Sequence, residues 1–281
     1  MKVCFLIVIY NKELLDSLSL KTLIKLIRQR NEKAICRIVN NGPLEVKKID
    51  SDQYPKNLVI DFQQSISNRP LSKIYNEFLN DYVDNDRFVI LDDDSELSEN
   101  YLNRVFDKEE FDLELPKIYN EKFDLFYPLV DWKIIHKSLT LMPVNKSEIF
   151  SIGSGLIISQ KLLKIFQNTS KMLFNENFSL YGVDFSLFWE IKYIKAYNDI
   201  TITSKSYLIH NMSLHGKISY YKRKELLISF ALLFRHYPAM VNFKNFAYRL
   251  RESLINREFE LVFIMIKIYL SGTHPNCTLK V

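Results

Sequence analysis

Residues 87–95 have the sequence Arg-Phe-Val-Ile-Leu-Asp-Asp-Asp-Ser, an apolar run that ends in three adjacent aspartates. A continuous apolar run is typical of a strand that is covered on both faces of a parallel sheet. Three similar runs precede it: residues 2–9, 34–39 and 58–60. Helically spaced apolar residues over 12–30 and 69–83 lie between the runs. This alternation predicts an α/β fold with a mostly parallel sheet flanked by helices.

Each apolar run is followed by polar residues, and the carboxyl ends of parallel strands share one edge of a sheet. Ligands of such sheets bind beyond this edge. We therefore expect the following polar residues to lie close together: Tyr10, Asn11, Asn40, Asn41, Asp61, Asp92, Asp93 and Asp94.

The three aspartates carry the strongest chemical signal. Adjacent carboxylates repel one another, and each is costly to bury without a partner. A divalent cation such as Mg²⁺ or Mn²⁺ resolves the conflict, because it binds carboxylate oxygens and leaves positions for phosphate oxygens. His210, at the end of a predicted strand, is a candidate third ligand. The same residues also fit a metal-free Asp-rich turn and a packed histidine.

The sequence lacks the glycine motifs that bind nucleotide phosphates. Neither G-x-x-x-x-G-K-[ST] nor G-x-G-x-x-G occurs, so a metal ion and side chains would have to neutralise a phosphate. Asp184 follows Tyr181-Gly182 at a predicted helix start. There it fits either a helix cap or a general base for an acceptor hydroxyl.

The second half of the chain predicts more strands and then helices. Strands are expected over 123–142, around a loop with Asp131 and Trp132, and a strand pair over 199–209 ends at His210. A helix is expected from about residue 159. Three further helices are expected at the C-terminus: residues 222–236, 241–255 and 257–270.

The 281 residues carry a formal charge of +5, and the basic excess is confined to the last quarter. Residues 217–281 contain eleven Lys and Arg against four Glu, a net charge of +7, whereas residues 1–216 have a net charge of −2. We therefore predict a boundary between residues 216 and 217. The basic region fits either an anionic partner or a helical appendage with a solvated basic face.

Composition, the N-terminal residues and the cysteines also indicate the cellular compartment of the protein. Ordinary globular composition excludes fibrous and disordered classes. The apolar run at residues 2–9 is too short for a signal peptide, and no apolar run is long enough for a transmembrane helix. The widely separated cysteines (Cys4, Cys36 and Cys277) fit a reducing compartment. We expect a cytoplasmic protein.

Seven segments follow one another in a distinctive order: Ile9-Tyr10-Asn11, Val39-Asn40-Asn41-Gly42-Pro43, Asn68-Arg69-Pro70-Leu71-Ser72-Lys73-Ile74-Tyr75-Asn76, Leu91-Asp92-Asp93-Asp94, Gly153-Ser154-Gly155-Leu156, Tyr181-Gly182-Val183-Asp184 and His210. Their order and spacing resemble the family 2 inverting glycosyltransferases of the GT-A fold, with the bacterial O-antigen and capsule enzymes as the nearest type. The resemblance spans residues 2–216. It implies a Rossmann-like GT-A catalytic domain over 1–216 and a C-terminal helical appendage over 217–281.

The resemblance also implies residue roles. Around the donor nucleotide and sugar it places Tyr10, Asn11, Asn41, Asp61, Arg69, Asp92 and Asp93. As ligands of Mn²⁺ or Mg²⁺ on the donor diphosphate it places Asp94, Asp92 and His210. It assigns the catalytic base to Asp184. On the acceptor side it places Trp132, Gly153, Ser154 and Gly155.

This sequence departs from the family pattern at three positions. Val183 replaces the usual acidic residue before the base, Glu190 lies where many members have Arg, and Asn40 replaces a common Asp. The triple aspartate leaves open whether Asp92 or Asp93 pairs with Asp94. The Q-x-x-R-W motif of processive synthases is missing, which favours the transfer of a single sugar.

The resemblance implies a UDP- or dTDP-sugar donor and a polyprenyl-diphosphate-linked glycan acceptor in surface polysaccharide biosynthesis. The basic C-terminal helices fit a peripheral position on the anionic inner face of the plasma membrane. They also fit a dimerising bundle or simple packing on the sheet. Nucleic-acid binding is not expected, because the basic residues lie in apolar helices rather than in a dense stripe.

Two other functions fit parts of the sequence. Val183 and Glu190 leave room for a catalytically degenerate glycosyltransferase fold that only binds sugar. A haloacid-dehalogenase-like phosphatase would use Asp92 and Asp94, but it needs Thr or Val where Glu96 stands.

Overall fold

The computed structural model describes residues 1–141, 147–194, 200–210, 219–239 and 241–278. The strands are β1 (Val3–Ile9), β2 (Ala34–Asn40), β3 (Leu58–Gln64), β4 (Arg87–Asp92), β5 (Ser95–Leu97), β6 (Leu113–Glu114), β7 (Lys117–Tyr119), β8 (Leu125–Tyr127), β9 (Leu129–Val130), β10 (Lys133–Ile134), β11 (Leu139–Leu141), β12 (Ile149–Phe150), β13 (Ile157–Ser159), β14 (Ile202–Ser204) and β15 (Tyr207–His210). The helices are α1 (Leu18–Arg28), α2 (Leu71–Asp81), α3 (Glu99–Phe106), α4 (Gln160–Asn168), α5 (Val183–Ile194), α6 (Tyr220–His236), α7 (Phe243–Ile255), α8 (Phe259–Ser271) and α9 (Pro275–Thr278).

The central layer is an eight-stranded mixed sheet with the strand order β11-β14-β6-β13-β4-β1-β2-β3. Strands β4, β1, β2 and β3 are parallel, as the apolar runs predict. All seven residues of β1 are buried, because helices cover both faces of this half of the sheet. The α1 helix begins later than predicted, since Ser17 caps it by accepting a hydrogen bond from Leu20.

Strand β3 is longer than predicted. The sequence suggested that it ends at Asp61, but its pairing with β2 continues to Gln64. A polar residue is accommodated within the strand because Arg37, directly opposite on β2, forms an ion pair with Asp61. Asp61 therefore lies three residues before the strand end and not at the edge itself.

The other half of the sheet is mixed, and two small sheets lie beside it. Strand β13 runs antiparallel between β4 and β6, and β14 runs parallel to β6. The predicted strand pair before His210 is wrong. Strand β14 pairs with β6 and β11, whereas β15 pairs with β5 and β7 in a separate four-stranded sheet. This second sheet brings the end of β15 to the end of β4.

The C-terminal helices share the main apolar core. Ile228 of α6 and Met265 of α8 belong to the same buried cluster as Leu187 of α5. Gly182 allows α6 to approach closely, since its φ is +86° and a Cβ there would collide with the Ser229 hydroxyl. The predicted boundary between residues 216 and 217 lies outside the described residues. Within the described ranges, none of the helices has the length and apolar character needed to span a membrane.

Candidate active site

The carboxyl ends of β1, β2 and β4 meet at one edge of the central sheet. The parallel register places Ile9 beside Asn40 and Val8 beside Asp92. Beyond the strands, the Asn11 N–H donates to the Gly42 carbonyl at 2.7 Å, which joins the turns that follow β1 and β2. The polar residues predicted to converge here are thus brought together, apart from Asp61.

Three candidate metal ligands meet at this edge. Asp92 ends β4, Asp94 lies in the turn to β5, and His210 ends β15 opposite Ser95. One ligand atom from each residue lies within 4.8 Å of the others, and Asp94 Oδ1 is 3.3 Å from His210 Nδ1. Carboxylate oxygens with an imidazole nitrogen are a donor set that suits Mn²⁺ or Mg²⁺.

Electrostatics at this edge favour a bound cation. Burial, together with the charges of Asp94 and Asp93, raises the pKa of Asp92 to about 7. Burial also raises the pKa of Asp94, while it lowers the pKa of His210. The ionised carboxylates therefore lack sufficient positive charge around them, and a divalent ion between them would supply it.

The Asp93 carboxylate has partners outside this triad. Lys12 Nζ lies 2.5 Å from its Oδ1, and the Tyr10 N–H donates to Oδ2 at 3.2 Å. The Asp93 carbonyl accepts from Leu18 N–H at the start of α1, at 2.8 Å. Asp92, rather than Asp93, thus lies with Asp94 and His210 in the candidate triad. Lys12 is a cation next to the site that the sequence analysis missed.

A chain of buried hydroxyl groups joins two of the candidate ligands. The Asp92 N–H donates to Ser154 Oγ at 2.9 Å, and Ser154 Oγ lies 2.8 Å from Ser95 Oγ. Ser95 Oγ lies 2.8 Å from His210 Nδ1. This chain holds the imidazole through Nδ1, the ring nitrogen that also lies 3.3 Å from Asp94 Oδ1. Ser154, predicted on the acceptor side, contacts the Asp92 N–H and the Ser95 hydroxyl, and Ser95 was missed.

Asp184 lies in the first turn of α5. The Phe185 N–H donates to its Oδ1 at 2.8 Å, and a Cβ on Gly153 would be 4.0 Å from its Cβ. Burial raises the pKa of Asp184 to about 6, against the hydrogen bonds from backbone N–H groups. Burial, together with the charges of Asp92 and Asp184, raises the pKa of Tyr75, which also lies beside Gly153. The sequence analysis assigned Tyr75 no separate role.

Trp132 is exposed in the turn between β9 and β10, close to the start of α5. Its ring centroid lies 4.8 Å from that of Phe150, which in turn packs against Phe185 at 5.2 Å. Asp131 and Trp132 have φ values of 49° and 63°, which non-glycine residues rarely adopt. An exposed indole held in this way offers a flat apolar surface, and Phe150 connects it to Phe185, the residue after Asp184.

The loop that contains Gly155 must be compact. Its φ is +91°, and a Cβ there would lie 2.5 Å from Leu208 Cδ2 and 2.7 Å from Pro116 Cγ. Gly155 N–H donates to the Ile90 carbonyl at 2.7 Å, which anchors the loop to β4. Gly155 therefore shapes the loop without facing open space, whereas Gly153 lies beside Tyr75 and Asp184.

Three of the predicted donor residues have partners within the protein. Asp61 accepts from Arg37 Nε and from the Tyr82 hydroxyl, both at 2.7 Å, and these contacts lower its pKa. The Asn41 amide bonds the backbone N–H and carbonyl of Arg69 at 2.8 and 2.9 Å. The Arg69 side chain is hydrogen-bonded to Glu77. Asn41 thus fixes the segment that carries Arg69, and Asp61 belongs to an ion pair within the sheet.

No family model matches the sequence, and no curated protein matches it. Solved structures of S. aureus TarS do resemble it. One has a TM-score of 0.54 at 14% identity and covers 83% of this chain and 39% of that chain. TarS 1–349 in complex with UDP has a TM-score of 0.52 at 16% identity, and the match covers 83% of this chain and 66% of that chain. TarS 1–349 in complex with UDP-GlcNAc has a TM-score of 0.53 at 14% identity, and the match covers 83% of this chain and 65% of that chain.

The chain therefore spans 39% of the first TarS chain and just under two thirds of the two shorter ones. At such identities the likeness shows the fold alone. It confirms the GT-A fold that the sequence predicted, with a large central sheet flanked by helices and with helices at the C-terminus.

Proposed function

We propose that this chain is a metal-dependent inverting glycosyltransferase that transfers one sugar from a nucleotide-sugar donor to an acceptor hydroxyl. The observation that carries the proposal is the position of Asp184 beside the triad of Asp92, Asp94 and His210. Gly153 lies beside Asp184, and the next residue, Ser154, accepts from the Asp92 N–H at 2.9 Å, so one short segment contacts both residues. A GT-A fold offers this edge of the sheet to nucleotides.

Asp92, Asp94 and His210 would hold a Mn²⁺ or Mg²⁺ ion. Such an ion offsets the negative charge that develops on a leaving diphosphate. The chain of Ser154 and Ser95 hydroxyls keeps the His210 ring in place beside the carboxylates. Lys12 adds a cation at the same edge, because it lies close enough to lower the pKa of Asp94.

Asp184 would act as the general base. In an inverting transfer, the acceptor oxygen forms a bond to the anomeric carbon while the bond from that carbon to the phosphate oxygen breaks. The proton of the acceptor hydroxyl passes to a carboxylate oxygen of Asp184, and the electron pair of the broken bond stays on the nucleoside diphosphate. A pKa of about 6 suits this role, since a base works best when its pKa lies near the working pH.

The donor would lie across the ends of β1 and β2. Tyr10 is half-exposed there, and Asn11 has a φ of 52° that the Gly42 hydrogen bond maintains. These two residues remain our candidates for direct contact with a UDP- or dTDP-sugar. Asn41 acts by holding the Arg69 segment. Asp61 is not proposed as a donor contact, because Arg37 and Tyr82 engage its carboxylate.

The acceptor would approach Asp184 from the side of Trp132 and Gly153. The exposed indole suits the apolar face of a sugar ring, and Gly153 leaves space beside Asp184. As acceptor we propose a polyprenyl-diphosphate-linked glycan of surface polysaccharide biosynthesis, at the cytoplasmic face of the membrane. The net charge of +7 over residues 217–281 supports a site next to anionic lipids.

A nucleotide-release assay tests the proposal. Purified protein is incubated with Mn²⁺ and a panel of UDP- and dTDP-sugars, and free nucleotide is measured. One donor should be hydrolysed slowly or transferred, and Asp94→Ala or EDTA should abolish the release. Asp86→Ala, at the opposite end of β4, is the matched control and should retain it. Release that is indifferent to both Asp94→Ala and EDTA would contradict the metal assignment.

The nucleotide-release assay, combined with calorimetry of donor binding, separates the enzyme from a degenerate sugar-binding module. Val183 is buried in the core, and Glu190 is bonded to the Tyr237 hydroxyl at 2.9 Å and to Lys171 at 2.6 Å. The two departures from the family pattern thus have packing roles here. Donor binding by calorimetry without turnover on any acceptor would favour the module. The GT-A fold removes the structural basis for a haloacid-dehalogenase-like phosphatase.

A further inference from the structure

Helix α8 has an apolar stripe on its outer side. Phe259, Phe263, Ile266 and Leu270 follow one another at intervals of four, three and four residues, so they share one face of the helix. Their exposed fractions are 65%, 67%, 44% and 72%. The opposite side packs into the core through Leu261, Met265 and Ile268. A surface helix that is apolar on both sides indicates an interaction surface.

The neighbouring helix α7 has an outer face of a different kind. Lys244, Tyr248, Arg251 and Ile255 recur at the same helical spacing and are all exposed. Phe246 and Ser253, on the other side, are buried. Basic, aromatic and aliphatic side chains on one helical face are typical of a helix that lies in a membrane interface.

The charges around these two helices are unbalanced. Each of their acids is engaged within the protein: Glu252 by Arg249, Glu258 by Arg223, and Glu260 by the Tyr220 hydroxyl. By contrast, four cations of this region form no ion pair with any residue that the structure describes: Lys244, Arg251, Arg257 and Lys267. This surface therefore presents free positive charge beside exposed apolar side chains.

We propose that helices α7 and α8 bind the surface of an anionic lipid bilayer. The α8 stripe enters the boundary between headgroups and acyl chains, and the free cations of α7 lie against the lipid phosphates. A helix of 13 residues is about 20 Å long, which suits a position in the interface plane. A symmetric pairing of two copies through this face would bring the same unpaired cations together, whereas anionic lipids neutralise them.

Helix α6 links this surface with the candidate donor edge. Glu260, next to Phe259 at the start of α8, accepts from the Tyr220 hydroxyl at 2.6 Å. The adjacent Tyr221 is near enough to Tyr10 for the two hydroxyls to interact electrostatically. The first turn of α6, with Tyr220 and Tyr221, therefore connects the start of the stripe with the region of Tyr10. For this link to a lipid-linked acceptor the inference rests on the proposed function, but bilayer binding itself does not.

Vesicle sedimentation tests the inference. The full chain is mixed with vesicles of phosphatidylcholine alone or of phosphatidylcholine with phosphatidylglycerol, and the bound fraction is measured. We expect binding to the anionic vesicles that weakens as salt is raised. Phe263→Glu and Leu270→Glu should each weaken binding by about tenfold or more, because a charge replaces an inserted apolar side chain. Phe123→Glu is the matched control, since Phe123 is equally exposed (67%) but lies in the turn between β7 and β8.

Three outcomes would overturn the inference. In the first, Phe263→Glu binds anionic vesicles as well as the parent chain does. In the second, Phe123→Glu loses as much vesicle binding as Phe263→Glu. In the third, the parent chain is a dimer in solution that Phe263→Glu dissociates, and neither the parent chain nor the variant binds vesicles. Circular dichroism and thermal unfolding of each variant establish that the fold is retained. Donor hydrolysis in solution is measured in parallel. A variant that no longer binds vesicles but still hydrolyses the donor shows that membrane binding and the proposed catalytic function can be tested separately.

Discussion

Replacing Asp184 by Asn should remove activity and stabilise the fold at the same time. The candidate base is held in a partly buried position, where its ionised form is unfavourable. Asparagine keeps an oxygen that can accept the Phe185 N–H but carries no charge. We therefore expect a loss of turnover of about 100-fold or more, the usual effect of losing a general base, together with a gain in unfolding free energy.

The size of that gain follows from the pKa. Burial raises the pKa of Asp184 from 3.8 to about 6. Above neutral pH, this difference corresponds to about 3 kcal/mol of stability lost through the ionised carboxylate. Because the side chain is partly exposed and solvent screens its charge, we expect Asn to recover about 1–2 kcal/mol.

The gain must depend on pH with a definite sign. The folded chain holds this proton up to about pH 6, whereas the unfolded chain releases it near pH 4. The stability contribution of Asp184 therefore falls as pH rises between these values. The advantage of Asp184→Asn should be absent at about pH 4, grow up to pH 6 and stay constant above it.

Urea unfolding at several pH values, in EDTA, measures this difference. The exposed carboxyl Asp52 provides a control, because Asp52→Asn should leave stability unchanged at every pH. A variant Asp184→Asn that is less stable than the parent chain at about pH 8, or that keeps its turnover, would refute the proposed environment and role of this carboxyl.

Three further results are expected. Ser95→Ala should weaken Mn²⁺ binding by about tenfold in calorimetry, because His210 loses the hydroxyl that orients it; unchanged affinity would remove that role from Ser95. Gly155→Ala should lower the unfolding free energy by about 2–4 kcal/mol, because Gly155 has a positive φ and a Cβ there would be crowded. Gly153→Ala should leave the unfolding free energy nearly unchanged, because a Cβ there meets only ordinary contacts. Equal losses of unfolding free energy in the two variants would contradict this loop geometry. The kcat of the parent enzyme should fall as pH drops through about 6, since Asp184 gains a proton there, and a flat profile from pH 5 to 8 would argue against it as the base.

The parallel half of the sheet was predictable because its strands are covered on both faces. The apolar runs of β1 and β4 end where the strands end, so the polar residues that follow mark the edge. The same inference, that a polar residue after an apolar run marks the end of a strand, was wrong for Asp61. It resembles a strand end in the sequence, but an ion pair with Arg37 across the sheet lets the strand continue. Such a pair depends on strand register, which a single segment does not reveal.

The candidate site was predictable only where it is local. Asp92 and Asp94 are visible in one short stretch, and Asp184 stands at a helix start. The contact between Ser95 and His210 joins residues 115 positions apart through the pairing of β5 with β15. That pairing arises because β15 leaves the central sheet, which no local pattern indicates. The role of Ser154 follows from the same packing.

The C-terminal region shows a similar division. Charge counting predicted a basic helical region, and three helices are present close to the expected positions. The counting did not reveal that Met265 and Ile228 share the core of the sheet domain. Nor did it separate the paired charges from the free ones, because ion pairs such as Arg223–Glu258 join residues of different helices.

Anomalous scattering at the manganese edge, from crystals grown with Mn²⁺ and UDP, would locate the cation directly. We predict one manganese peak within bonding distance of Asp92, Asp94 and His210, in contact with the diphosphate. Bound UDP with no manganese at this triad, or with manganese elsewhere, would contradict the proposed metal-dependent transfer.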